Sequence, residues 1–579
     1  MRKAGCTLNN KKMEKKDFNI AKWMKDRWMM PLGLSFIIFH LSFSVACDSY
    51  LDELPDNRME VTTIENVQKL LTTAYPSNEP LMVAEYMSDN VDDYGPTNPN
   101  TSRFMDQLYS WRDITETNNS SPENFWEDCY QCIATANQAI EALAALSGSL
   151  AGSGLPATTE STASTASTAS TAGSGFAAST AEALLCRAYA HFMLANMFCQ
   201  AYSPSTADST PGIVYMDHVA EELTYNPDRP TLADTYRHID QDLQQALPLV
   251  GSDYSVPKYH FTPRAAYAFA CRFYLYAEQW DKTIAYANLC LGSAPETMLR
   301  DWDFMASMTQ TFSALSQHYI DASLNCNLLM LTAYSAIGLC FGPYRYMSKY
   351  SHGKYLASHE TSEADNIWGS APYYQGTHTY SATNLDKTIF WKLPYLFEYA
   401  DPVAGTGYYR TVYPAFTADE TLLNRAEALV LTDRYDEAAR DLTLWMQNIV
   451  QTDLELTPQL IADFYNGVDY AYSDSLHIAS TIKKHLHPKF DIGAEGDTKE
   501  AMLQCVLGFR RIETLQAGLR WYDVKRYGIE IVRRVIGADG EPESLSDILR
   551  ADDPRRAVQI PPRVRTAGVT PNPRLNIED

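Results

Sequence analysis

The segment Pro263-Arg-Ala-Ala-Tyr267-Ala-Phe-Ala-Cys-Arg272-Phe-Tyr-Leu-Tyr-Ala-Glu-Gln-Trp280-Asp281-Lys-Thr-Ile284-Ala-Tyr-Ala287 decides the fold class. Its apolar positions recur at helical spacing on both sides of the Glu-Gln-Trp stretch, so it reads as two helices joined by a short turn. An aromatic residue stands at the turn and Asp281 starts the second helix. The same plan returns at Leu422-Leu-Asn-Arg425-Ala426-Glu427-Ala428-Leu-Val-Leu-Thr-Asp-Arg-Tyr435-Asp436-Glu-Ala-Ala439, where Tyr435-Asp436 takes the place of Trp280-Asp281. Small alanines on the facing sides let the paired helices pack closely.

A further hairpin contains Ala181 to Phe198, with Arg187-Ala-Tyr189 inside it. This is the packing logic of tetratricopeptide-like hairpins, here degenerate and far apart, so they do not form a regular solenoid. Outward from them, Ile64 to Tyr75 reads as an amphipathic helix ended by Pro76. Residues 76–121 read as irregular, helix returns from Pro122 to about Leu146, and a long helix is expected from Thr498 to Arg534. Residues 147–175 contain four Ser-Thr-Ala triplets among Gly and Ser, with too little apolar surface to repay ordering, and are expected to form a low-complexity surface loop. Residues 300–415 read as a loop-rich aromatic region. The expected fold is therefore mostly α, a scaffold of helical hairpins carrying long irregular loops, where binding functions concentrate.

At the start of the chain, an apolar run from Leu32 to Ala46 follows basic residues and ends at Cys47. It is too short for a bilayer-spanning helix, and small residues precede the cysteine, so 1–46 reads as a signal peptide with a lipoprotein-type cleavage site. Ser44 stands where a leucine is usual. Cys47 is the predicted lipidation site and 47–579 the mature domain.

Removing residues 1–46, which carry a net +6, takes the formal charge from −24 to −30. Such an acidic body is repelled by phosphate backbones, which argues against nucleic acid as a partner. Nine cysteines remain after Cys6 and Cys47, an odd number at irregular spacing, and several sit within helical apolar patterns as small hydrophobes. Cys129-Tyr-Gln-Cys132 has no second pair at zinc spacing, so no metal site is expected; disulfides are permitted by export but not demanded. No Gly-x-Ser-x-Gly elbow, His-Glu-x-x-His pair, phosphate loop or dinucleotide fingerprint occurs, so no catalytic residue and no cofactor is predicted. Paired carboxylates brought together in space stay open at this stage.

Several fragments in one order then carry a resemblance. They are Cys47 with Tyr50-Leu51-Asp52 and Pro55, Phe125-Trp126 through Asn137, Arg187-Ala-Tyr189, Thr262-Pro-Arg-Ala-Ala-Tyr267 with Arg272, Arg425-Ala-Glu427-Ala428, Arg520-Trp521-Tyr-Asp523-Val-Lys-Arg526, and Ile560-Pro561-Pro562 near Asn572-Pro573. The arrangement resembles the SusD/RagB family of outer-membrane lipoproteins of Bacteroidetes. That resemblance implies a SusD-like fold and a non-catalytic, surface-exposed protein, lipid-anchored in the outer membrane. It further implies capture of nutrient, usually glycan, for delivery to a SusC-like TonB-dependent transporter. Capture of peptides, as in RagB-like importers, is the alternative, and a purely structural helical adaptor is a third possibility.

Sugar rings lay apolar C–H faces on Trp or Tyr, while their hydroxyls need planar polar partners. On that chemistry the candidate ligand residues are Arg103, Trp111, Asn118 and Asn119 in the early loop, with Tyr344, Tyr346, Trp368, Tyr373 and Tyr374 in the later one. Arg520, Asp523 and Arg526, spaced by three, are read as charge pairs along one helix face above Trp521.

Overall fold

Threonine opens many of the helices. Thr63, Thr231, Thr311, Thr417 and Thr457 each accept the amide three residues on, a cap that stabilises a helix by about 1 kcal/mol. The computed structural model describes residues 61–152, 163–219, 228–382, 385–471 and 480–574. The predicted signal peptide and Cys47 lie outside the described residues.

In chain order the helices are α1 (Ile64–Leu71), α2 (Leu81–Met87), α3 (Arg103–Tyr109), α4 (Pro122–Gly152), α5 (Ala163–Phe198) and α6 (Leu232–Ala246). Then come α7 (Pro263–Tyr276), α8 (Trp280–Leu291), α9 (Trp302–Ser307), α10 (Phe312–Tyr319), α11 (Ile337–Phe341) and α12 (Lys354–Glu360). The last six are α13 (Ala418–Leu431), α14 (Tyr435–Ile449), α15 (Pro458–Asn466), α16 (Thr498–Thr514), α17 (Arg520–Arg526) and α18 (Pro562–Thr566). The strands are β1 (Asp92–Asp93), β2 (Asn327–Tyr334), β3 (Tyr350–Ser351), β4 (His378–Ala382), β5 (Leu385–Ile389), β6 (Leu396–Asp401), β7 (Thr406–Thr417), β8 (Ile531–Ile536) and β9 (Pro542–Leu549).

The hairpins read from 263–287 and 422–439 form, as α7–α8 and α13–α14, and α13 packs against α7, α8 and α16. The alanines do what their size allows: Ala265, Ala266, Ala270, Ala426, Ala428 and Ala438 are fully buried between helices. The two turns are built alike, with Glu278 (φ 56°) and Asp433 (φ 60°) in the left-handed region two residues ahead of Trp280 and Tyr435. The mostly α scaffold of helical hairpins read from the sequence is what the structure shows.

Arginine–carboxylate forks bind the helices to one another. Arg187 on α5 holds Asp242 on α6 at 2.7 and 2.6 Å, Arg425 on α13 holds Asp441 on α14 at 2.8 and 2.7 Å, and Arg272 on α7 pairs with Glu420 on α13. Arg510 on α16 donates to Asp523 on α17 at 3.1 and 3.0 Å, with Glu427 and Arg526 completing a buried quartet. Bidentate geometry with both ions desolvated makes each pair costly to break from one side, about 3–5 kcal/mol.

The sequence reading of Arg520, Asp523 and Arg526 needs correction. Asp523 and Arg526 do meet, at 3.4 Å, but Arg520 reaches away to Asp89 at 2.8 Å. Burial opposes ionisation of Asp89, yet Arg511 and Arg520 outweigh it and hold the carboxyl well below the usual range.

Four other expectations differ from the structure. Residues 76–121 contain α2 and α3; α2 buries all of its side chains, which supplies the tertiary contact its turn-rich neighbourhood hides. The stretch 147–175 is entered from both ends by helix, α4 to Gly152 and α5 from Ala163, since Ala propagates a helix already nucleated by packed turns. The expected helix from Thr498 to Arg534 is broken into α16, α17 and strand β8, with Gly518 at φ 68° and a Cβ there only 2.8 Å from the Leu81 backbone. Residues 300–415 carry three antiparallel strands in the order β2-β7-β6 and the β4-β5 hairpin. A second sheet runs β3-β1-β8-β9. All nine described cysteines are buried and unpaired, as small hydrophobes of the core.

Candidate functional site

The β6–β7 hairpin is the exposed part of the sheet. Side chains alternate between faces along a strand, so Tyr395, Phe397 and Tyr399, two apart, share one face with Tyr409, which pairs with Phe397. The rings touch in series. Centroids lie 5.9 Å apart for Tyr395–Tyr409, 5.4 Å for Phe397–Tyr409 and 4.9 Å for Phe397–Tyr399. At the other end Tyr395 meets Tyr344 at 5.0 Å, Tyr344 meets Phe312 at 5.5 Å, and Phe312 meets Trp391 at 6.2 Å. Seven rings, from the start of α10, two loops and two strands, thus form one ribbon, and Tyr344, Tyr399 and Tyr409 are 45%, 59% and 39% exposed.

Local sequence explains that exposure. Gly407 stands opposite Tyr399, and a Cβ there would lie 2.0 Å from the Glu398 carbonyl, so the position opposite the most exposed ring bears no side chain. On the reverse face Arg410 pairs with Glu398 and lies 4.6 Å over the ring of Tyr334, whose edge meets Tyr408. Trp391 adopts φ 58°, a conformation that costs a non-glycine residue on the order of 1 kcal/mol, and its indole N–H donates to the Gly376 carbonyl at 2.9 Å.

Lys387 fastens the loop that carries Tyr344. Its buried ammonium donates to the carbonyls of Cys340, Gly342 and Arg345 at 2.6, 3.0 and 2.8 Å. Burial pushes this ammonium down to about 8. Glu79 fastens the sheet to the body. It accepts from the Ser335 hydroxyl at the end of β2 and from the Met82 amide at 2.9 Å, while the Ser335 amide donates to the Tyr409 carbonyl at 3.0 Å. Burial pushes the Glu79 carboxyl up to about 7, against the pull of those hydrogen bonds.

The sequence-derived candidates divide. Tyr344 is in the ribbon, and Tyr346 is exposed nearby on the same loop, its carbonyl bonded to the Asn100 side chain. Asn118 and Asn119 are exposed; Asn118 Oδ1 caps the Ser120 amide at 2.9 Å, and Ser120 reaches Ser335. Arg103 is exposed beside Glu116 at 3.5 Å. Trp111, by contrast, is 2% exposed, donates to the Met87 carbonyl at 2.8 Å and lies 4.1 Å under the Arg533 guanidinium. Trp368 is 8% exposed against Phe509 and Tyr373. Tyr373 and Tyr374 are tied to the end of α14 through Val450 and Ile449. Burial therefore takes both tryptophans out of any exposed platform. Phe397, Tyr399 and Tyr409 were missed, although the period-two aromatic pattern of 395, 397 and 399 was a readable strand signal.

Among the described residues no group of three or more His, Cys, Asp or Glu is placed to hold a metal, and no helix is long and apolar enough to cross a membrane. His485 Nδ1 sits 2.6 Å from Glu495 on the surface. An extended, partly exposed row of rings with polar tips and no nucleophile–base pair among them suits binding to a ligand with alternating apolar and hydroxylated edges.

Comparison with known proteins agrees with this architecture. Residues 49–275 match the SusD-like family model described as starch-binding and associating with the outer membrane. A SusD superfamily protein from Bacteroides vulgatus superposes with a TM-score of 0.58 at 18% identity, covering 89% of this chain and 98% of that one. A putative sugar-binding protein from the same organism gives 0.58 at 16% identity, covering 89% and 99%. A SusD superfamily protein from Bacteroides thetaiotaomicron gives 0.53 at 16% identity, covering 88% and 100%. No curated protein matches the chain. Residues 49–275 are thus similar to the SusD-like family, and the chain shares its fold with SusD superfamily proteins.

Proposed function

We propose that this protein is a non-catalytic carbohydrate-binding lipoprotein of the outer membrane. It is anchored through Cys47 at the cell surface, captures oligo- or polysaccharide on the Trp391–Tyr399 ribbon and delivers it to a SusC-like TonB-dependent transporter. The observation that carries the reading is the ribbon itself: seven aromatic rings in unbroken contact, three of them over a third exposed, running from Phe312 and Trp391 onto the antiparallel β6–β7 hairpin. The description of the matching family as starch-binding and outer-membrane-associated, and of one structural neighbour as sugar-binding, support the ligand class.

The exposed tyrosines, Tyr344, Tyr399 and Tyr409, each offer a flat apolar face to the C–H face of a sugar, and their phenols offer hydrogen bonds at the rim. Binding then grows with the number of sugar units until the ribbon is covered. A glycan array on the purified chain, followed by calorimetry with a chain-length series, tests this. Affinity rising over several units and lost in a Tyr344→Ala/Tyr409→Ala double variant supports the reading; capture of peptides in place of glycans sinks it.

A further inference from the structure

Far from the ribbon in sequence, a cleft of about 400 Å³ opens between the end of α5, the α7–α8 turn, Gly528 and residues 551–557. Its charge is unlike that of the molecule, which totals −24. Lys525 and Arg556 line it, both buried, and neither has a carboxylate within ion-pair distance among the described residues. The Lys525 ammonium donates to the carbonyls of Asn196 and Cys199 at 2.6 and 2.5 Å, which uses two of its three protons. Arg556 donates to the carbonyls of Arg550, Val524 and Ile529 at 2.8, 2.8 and 2.6 Å, three of its five. Burial pushes Lys525 down to about 7 and Arg556 down to about 10, the response of cations that lack an anion. At the rim Lys489 is exposed, its ammonium 3.2 Å from the Thr206 hydroxyl.

The two equivalent hairpin turns give an internal control. Asp433 in the α13–α14 turn is paired, with Lys499 at 3.1 Å and the Tyr435 hydroxyl at 2.8 Å. Glu278, its counterpart in the α7–α8 turn, lines the cleft instead and forms no ion pair within 4.0 Å among the described residues. Beside it Tyr202 lines the cleft, its ring stacked on Tyr236 at 4.3 Å. The site therefore offers cations, the Glu278 carboxylate, a second carboxylate at the exposed Asp552, and one flat ring, in a space fit for one or two sugar rings.

We propose that this cleft is a second binding site, which takes a carboxylate-bearing sugar such as a uronic acid. The sugar carboxylate meets Lys525 and Lys489, and Glu278 accepts from ring hydroxyls. This site is independent of the ribbon. Calorimetric titration of the purified chain with galacturonate, galactose and inorganic phosphate tests it. Expected are saturable binding of galacturonate, none of galactose, and at least about a tenfold loss of affinity in Lys489→Glu, an exposed substitution that leaves the fold intact. Lys525→Met, checked by its melting curve, loses binding to the same extent, while Tyr344→Ala/Tyr409→Ala keeps it. Equal binding of galactose, equal binding of phosphate, absence of galacturonate binding, or full binding by Lys489→Glu each overturns the proposal.

Discussion

Tyrosines of the helical body and tyrosines of the β6–β7 sheet make opposite use of the same side chain. In the body Tyr75, Tyr274 and Tyr527 donate their hydroxyls to Glu182, Asp240 and Glu427 at 2.7, 2.6 and 2.7 Å. On the ribbon the hydroxyls of Tyr344, Tyr399 and Tyr409 have no partner among the described residues. A ring whose polar tip is already satisfied serves packing; a ring held at its edge, with face and tip in water, serves a ligand. The contrast teaches that stability and binding are carried by separate groups here, and each side can be broken alone.

The largest effect is expected in the body. Arg510→Met leaves Arg526 as the one cation beside two buried carboxylates, Asp523 and Glu427, and should lower stability by about 3–5 kcal/mol in urea denaturation. Glycan affinity of the remaining folded protein should not change. Next comes the joint between body and sheet, Glu79. Its carboxyl binds a proton more tightly folded than unfolded, from 4.5 up to about 7. Stability from this group is therefore complete below the unfolded value and is lost as pH rises through about 7, on the order of 2–3 kcal/mol. Denaturation of Glu79→Gln between pH 4.5 and 7 should show that slope removed; an unchanged slope refutes the assignment.

On the ribbon, Tyr409→Ala removes the ring that touches both Tyr395 and Phe397, and should weaken glycan binding by about 1 kcal/mol, roughly fivefold in Kd, by calorimetry. Its stability should stay within about 0.5–1 kcal/mol of the parent because the ring is exposed. Smallest of all, Arg103→Ala breaks an ion pair whose partners are largely in water, and its urea midpoint should correspond to a loss of less than about 0.5 kcal/mol.

The helical hairpins were legible because alanine and aromatic residues recur at helical spacing over long segments, and local periodicity alone fixes such elements. The arginines of the quoted fragments were legible as a pattern but not as partners. Arg520 finds Asp89, and Arg534 finds Asp92 and Glu360, across hundreds of residues. Trp111 was misjudged for the same reason: its neighbours in sequence are polar turn residues, whereas the groups that bury it come from Met87 and Arg533. The ribbon is assembled from Phe312, Tyr344, Trp391 and the 395–409 strands, a contact order that no single window of sequence contains. Tyr344 was found because it lies in a loop rich in rings, and Tyr399 was not, because Gly407 opposite it is identified only by the strand register.

The nine sealed thiols have a practical consequence. They sit on α4, α5, α7, α8, α11 and α16 and at two element ends, in regions from residue 129 to residue 505. Burial pushes Cys290 up to about 12, so it does not react with alkylating or disulfide reagents until the helix above it lifts. The unmodified chain is thus supplied with reporters of its own opening, and the order in which they become labelled would map which layer loosens first.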